Sequence, residues 1–161
     1  MLFTEDNYKH MFTALQLAET AMYENEVPVG AVVVFNNKPI GKGYNQVNKL
    51  NDATAHAEMI AITSASNQLQ TSILTECDLY VTLEPCIMCI GAALNSRIKN
   101  IYFSIFDPKF GACGSLYNLA VDGKYNHKIN IFSGIYEDES RNLMKRFFHN
   151  LRNDKSNGSV N

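Results

Sequence analysis

The chain of 161 residues is 46% hydrophobic and 19% charged, the balance of one globular domain long enough to bury a sizeable core. Its formal charge of -2 gives no global attraction to nucleic acid or an acidic membrane, so any such partner needs a local basic patch. Four cysteines are too few for a disulfide-stapled secreted scaffold, and no run of about 18 apolar residues offers a membrane span.

"MLFTEDNYKH" lacks the basic and then apolar pattern of a secretory leader, so a cytoplasmic location is expected. Thr4 followed by Glu5 and Asp6 reads as an N-cap with acids in the first turn. Tyr8, Met11, Phe12, Leu15, Ala18 and Met22 recur at three-and-four spacing, predicting a helix from 5 to about 25. "VPVGAVVVF" (27–35) is β-branched and reads as a buried strand; "NNKP" turns the chain and "IGKGYNQV" returns as its hairpin partner. "NKLNDAT" is a polar loop in which Asp52 or Thr54 can cap the next helix. Ala57, Ile60, Ala61, Ser64 and Ala65 give that helix a small-residue face suited to close packing on a sheet.

"CDLYVTL" (77–83) predicts a third strand, 86 to about 95 a helix, and "IKNIYFSIF" a fourth strand with Ile101, Phe103 and Ile105 alternating. "DPKFGACGS" is a Gly-rich loop and "KINIFSGI" a short fifth strand. The last helix, 137 to about 152, has Met144, Phe147, Phe148 and Leu151 as its apolar residues. No repeat or linker divides the chain: one domain, 1–152, is followed by an expected flexible tail, 153–161. Strands and helices alternate from the middle onward, which argues for an α/β fold with part of its sheet parallel.

Cys86 and Cys89 share one helix face in the first turn, just after Pro85, which disfavours helix at Glu84. A helix N-terminus lowers a thiol pKa and favours thiolate ligands. Of four histidines, His10 and His149 fall in amphipathic terminal helices and His127 precedes the fifth strand; only His56 opens a helix beside a carboxylate, Glu58. Residues two apart diverge by about 200° on a helix, but first-turn side chains lean toward the N-terminus, so both reach a site off the helix end. His56, Cys86 and Cys89 are thus the expected ligands of one zinc ion per chain. Three protein ligands with a fourth place for water is the catalytic pattern; Cys113 as a fourth ligand would make the site structural. Zinc lowers the pKa of such a water toward about 7, and Glu58, outside the coordination shell, is left to carry protons. His-x-Glu with Pro-Cys-x-x-Cys is the signature of zinc-dependent base deaminases. Taken alone, the two cysteines would read equally as a redox pair or as core, and Cys77 reads as a small buried hydrophobe. Arg141, Lys145, Arg146, Arg152 and Lys155 make either a solvated helix face or, interleaved with aromatics, an RNA contact.

Further segments extend the pattern: "NEVPVGAVVV", "GKGYN", "TAHAEMIA", "LYVTLEPCIMCIGA" and "FDPKFGACGSL". With them the chain resembles, along nearly its whole length, the bacterial tRNA-specific adenosine deaminases of the cytidine/deoxycytidylate deaminase superfamily. His-Ala-Glu and Pro-Cys-x-x-Cys mark the superfamily; "EVPVGAV" with "DPKFGACGS" points to the tRNA branch. Ala53 stands where that family commonly has proline, and Ser104-Ile105 where it commonly has Gly-Ala. The resemblance implies a three-layer αβα cytidine-deaminase-like fold, a central five-stranded mixed sheet flanked by helices, working as a homodimer. It implies hydrolytic deamination of the wobble adenosine of a tRNA anticodon loop to inosine, with the base flipped out and Glu58 handling protons. It places Asn45 on the base, Val29 against the purine, Asp107 near the ribose, and Phe147 and Phe148 on the loop. "CIGAAL" would suit a dimer interface. The competing expectations are a deaminase of a free nucleobase or nucleotide, of guanine or cytosine type, on the same zinc site, and a zinc-stabilised RNA-binding module without turnover.

Overall fold

Thr4 starts the first helix with a capping box: its side chain accepts from the Asn7 N–H while the Asn7 side chain accepts from the Thr4 N–H. Helix α1 then spans Glu5–Tyr23 in the computed structural model, which describes residues 2–158. Its buried stripe is His10, Met11, Ala14, Leu15, Ala18 and Ala21. The expected apolar face is therefore rotated. Tyr8 and Phe12 remain 39% and 51% exposed, because both lie against Tyr136 at the helix edge rather than under the sheet.

Strands β1 (Gly30–Phe35) and β2 (Lys38–Tyr44) pair as an antiparallel hairpin. Asn36 and Asn37 both adopt positive φ, 48° and 60°, the two-residue turn that matches strand twist. The turn is shorter than "NNKP" suggested, and Pro39 lies inside β2. An edge strand tolerates it, and the register shifts beside it, between Val33 and Val34. A single turn, α2 (Val47–Leu50), interrupts the expected polar loop. Then follow α3 (Ala57–Leu69), β3 (Cys77–Leu83), α4 (Ile87–Asn95), β4 (Asn100–Ile105), β5 (Asn130–Ser133) and α5 (Glu137–Asn157).

The sheet order is β2-β1-β3-β4-β5. β1 runs antiparallel to both neighbours, and β3, β4 and β5 run parallel, so the sheet is mixed, as expected. The two-residue period of the strands sorts the core into layers. Ala31, Val33, Leu79, Val81, Ile101 and Phe103 join the side chains of α3 and α4. Val32, Val34 and Tyr80 join Phe3, Met11 and Ala14 on the opposite face, where Tyr80, Tyr102 and Phe132 stack at centroid spacings of 4.6 and 4.8 Å. Gly41 and Gly43 let the small face of α3 settle directly on β2: a Cβ at either would strike α3 backbone.

The last helix departs most from expectation. Leu143 and Ser140 are its buried residues, whereas Phe148 and Leu151 stay 41% and 40% exposed. It also continues through 153–157, assigned to the tail from sequence, because nothing in "NDKSN" breaks a helix before Gly158 closes it. Residues 159–161 of that expected tail lie outside the described residues.

Candidate metal centre and substrate cavity

Two helices begin here in the same unusual way. His56 is the N-cap of α3, with φ -75° and ψ 153°, and Cys86 is the N-cap of α4, with φ -75° and ψ 175°. Neither side chain caps its own helix. Asp52 and Thr54 do not cap α3 either; Asp52 Oδ1 accepts from the Thr54 N–H and hydroxyl in a local turn. The Ala57 N–H instead donates to Asn45 Oδ1 at 2.9 Å, across the gap from the end of β2. Both N-cap side chains are thereby free to face each other.

His56 Nδ1 lies 3.7 Å from Cys86 Sγ and 3.6 Å from Cys89 Sγ, and the three ligand atoms all lie within 4.8 Å of one another. A tetrahedral zinc ion with Zn–S of about 2.3 Å and Zn–N of about 2.1 Å would hold such an N and S about 3.6 Å apart, so the donor set fits zinc. Among the described residues no fourth His, Cys, Asp or Glu joins the group. Cys113 is buried elsewhere, its N–H bonded to Glu84. Two helix N-termini aim positive potential at this point. The Cys86 thiol is held down at about 4, first by the hydrogen bond from Cys89 and then by His56, against the opposing effect of burial. Cys89 moves up, as the donor of that bond and a buried group. The hydrogen bond to Cys86 raises His56.

Glu58, 4% exposed, is pushed up to about 7 by burial and hydrogen-bonds with Cys89 without joining the ligand group. A carboxyl poised there exchanges protons readily near neutral pH.

A cavity of about 1310 Å³ opens over this floor. His56, Glu58, Cys86, Val29, Asn45 and Asp107 line it, and so do Arg141, Lys145, Arg146, Phe148 and Arg152 of α5. Phe147 is not in the lining but meets Phe148 edge-on, with centroids 5.2 Å apart. Asp107 spends Oδ1 on the N–H groups of Lys109 and Phe110, at 3.0 and 3.3 Å. Lys145, Arg146 and Arg152 make no ion pair among the described residues, whereas Arg141 is engaged by Glu137 and Asp138.

Residues 4–105 match the cytidine and deoxycytidylate deaminase zinc-binding region. The chain is 40% identical over 146 residues to the tRNA-specific adenosine deaminase of Bacillus subtilis, covering 91% of each. It is 43% identical over 141 residues to that of Aquifex aeolicus, covering 88% of this chain and 93% of the other. The chain belongs to the tRNA-specific adenosine deaminases. A structure from a study of A-to-I editing by tRNA:A34 deaminases at the wobble position of transfer RNA superposes with a TM-score of 0.81 at 39% identity, covering 84% of this chain and 98% of that one. Guanine deaminase of Nitrosomonas europaea shares the fold, at TM-score 0.75 and 24% identity over 87% of this chain and 83% of that one.

In this deaminase zinc is the cofactor, and His56, Cys86 and Cys89 are the residues that would hold it. Sequence reasoning passed over two buried acids beside the site. Glu26 Oε1 accepts the Lys49 N–H at 2.8 Å and fixes α2 at the cavity edge. Glu84 collects donors from a distant loop. A signal existed for Glu84: an acid directly after an apolar strand and directly before Pro-Cys has nowhere to go but inward.

Proposed function

We infer that this protein hydrolytically deaminates adenosine to inosine at the wobble position of a tRNA anticodon loop, releasing ammonia. One observation carries the reading: a zinc-type donor set and a buried Glu58 adjoin a cavity whose lining also carries the cationic and aromatic side chains of α5. Bound there, zinc supplies a water whose pKa falls from about 15.7 toward about 7. With zinc bound, Glu58 would take a proton from the attacking water as the C6–O bond forms and deliver it to N1, then carry the proton of the new C6 hydroxyl to the amine, so that the C6–N bond breaks and ammonia leaves. Asn45, its Oδ1 already accepting from α3, offers its Nδ2 donors to an acceptor on the base. Val29 packs under the ring, and the Asp107 oxygen not taken up by its own loop accepts from a ribose hydroxyl. Phe148, buttressed by Phe147, stacks on a loop base while Lys145, Arg146 and Arg152 meet phosphates.

Pockets for small, drug-sized ligands run to about 300–1,000 Å³. This cavity is larger and carries cations, which favours an RNA loop. The enzyme works as a cytoplasmic homodimer. Among the described residues no helix is long and apolar enough to cross a membrane. Gly91, in the middle of α4, has nothing within 4 Å of a would-be Cβ. A helical glycine costs about 1 kcal/mol relative to alanine, and close approach of a second chain would give it a reason. The deciding experiment incubates the enzyme with anticodon stem-loop RNA and, separately, with free adenine, guanine and cytosine. Inosine at the first anticodon position is the expected product; ammonia from free bases alone would overturn the assignment.

A further inference from the structure

Glu84 leaves the end of β3 two residues before the ligand Cys86, and it is 2% exposed. Every contact its carboxylate makes is to a donor of one loop. Oε2 accepts the Asp107 N–H at 2.8 Å and, through a short bond, the Ser115 hydroxyl. Oε1 accepts the N–H groups of Cys113 and Ser115 at 3.0 and 2.9 Å. The loop curls around the carboxylate closely enough that a Cβ at Gly111 would collide with Oε2. Two backbone links tie the same loop to the ligand-bearing turn: Ala112 donates to the Pro85 carbonyl at 2.9 Å, and Cys86 bridges Gly111. On its outer side the loop turns Asp107, Lys109 and Phe110 into the cavity. The Asp107 N–H that Glu84 holds belongs to the residue whose side chain caps that turn.

We propose that Glu84 is a positioning residue: a buried carboxylate that gathers the 107–115 loop and so fixes the part of the cavity lining formed by Asp107, Lys109 and Phe110 relative to the metal centre. The proposal rests on the cavity being the substrate site. Only an acceptor with two oxygens satisfies all four donors. A glutamine would keep its carbonyl for Cys113 and Ser115, and the Ser115 hydroxyl could turn to accept from the amide nitrogen. The Asp107 N–H would then face another N–H and be left without a partner in a part-buried position. Glu84→Gln thus unhooks the substrate-facing end of the loop with no change in volume, whereas Ser115→Ala removes one donor and leaves the other three bonds in place.

The test measures zinc content, kcat and KM on anticodon stem-loop RNA, and hydrogen exchange of the full-length zinc-loaded proteins. Glu84→Gln is expected to keep one zinc per chain and to raise KM about tenfold while kcat changes much less, the equivalent of one unsatisfied donor. Exchange should accelerate at Asp107 and through 107–115, but not in α3 or α4. Ser115→Ala should raise KM by a smaller factor. A uniform loss of protection and of zinc, with unchanged KM in the folded fraction, would mark Glu84 as merely structural and overturn the proposal. So would unchanged exchange at Asp107. If the parent enzyme failed to deaminate the stem-loop, the functional reading would fall, while the exchange comparison would still decide whether Glu84 holds the loop.

Discussion

Gly43→Ala adds one methyl group outside the metal-ligand set, yet it should weaken the enzyme's hold on its metal. Its Cβ would sit 2.8 Å from the Ala61 nitrogen and 2.9 Å from the Ile60 Cβ, and closer still to the Ala57 carbonyl, where ordinary contact begins at 3.4 Å. The obstructing atoms are mostly helix backbone, so α3 must retreat as a body by at least about half an ångström. Metal-ligand distances tolerate about 0.2 Å, and His56 and Glu58 ride on the first turn of α3, next to Ala57. The expected cost is about 1–3 kcal/mol of stability from overpacking. Zinc affinity should weaken about 10–100-fold, the range seen when support for a ligand is removed. Gly41→Ala is the control. It overpacks against Ala65, with a Cβ 2.6 Å from the Ala65 nitrogen, and so presses on the second half of α3. It should cost similar stability with a smaller loss of zinc. Urea unfolding and zinc competition against a chromophoric chelator measure both quantities. If Gly43→Ala bound zinc as tightly as the parent, the seating of α3 on β2 would not be what aims His56. If stability were also unchanged, the packing argument itself would be wrong.

Glu58→Gln should retain one zinc per chain yet lower kcat by about 10²–10⁴, measured on stem-loop RNA; near-normal turnover would remove Glu58 from proton transfer. Asn45→Asp keeps an acceptor for the Ala57 N–H and should preserve stability while KM rises, whereas Asn45→Ala should also lose about 1 kcal/mol in denaturant titration. Stem-loop affinity should fall steeply with added salt, and Lys145→Ala or Arg146→Ala should each reduce the slope by about one; a flat salt response would take α5 out of the RNA contact. Gly91→Ala should shift sedimentation from dimer toward monomer, while an unshifted dimer of raised stability would place the interface away from that face of α4.

The grouping of metal-type donors, the strand-helix alternation and the helix starts at His56 and Cys86 were legible because each is local. Metal chemistry names its residues by type, and period and breaker residues act within a few positions. The buried stripes of α1 and α5 were not legible in the same way. Tyr8, Phe12, Phe148 and Leu151 have the right spacing, but what covers them comes from elsewhere in the chain, or not at all. The cap of α3 went to Asn45, which no local pattern pairs with Ala57.

By itself, the sequence settled which atoms can bind a metal and which carboxylate stands beside them. Only the tertiary structure decided that two helix starts thirty residues apart in the chain meet at one point, that α5 lines the cavity they share, and that Glu84 gathers a loop more than twenty residues away. Backbone stereochemistry and side-chain chemistry are written residue by residue, whereas the meeting of distant segments depends on how whole faces pack, and that depends on every residue in them.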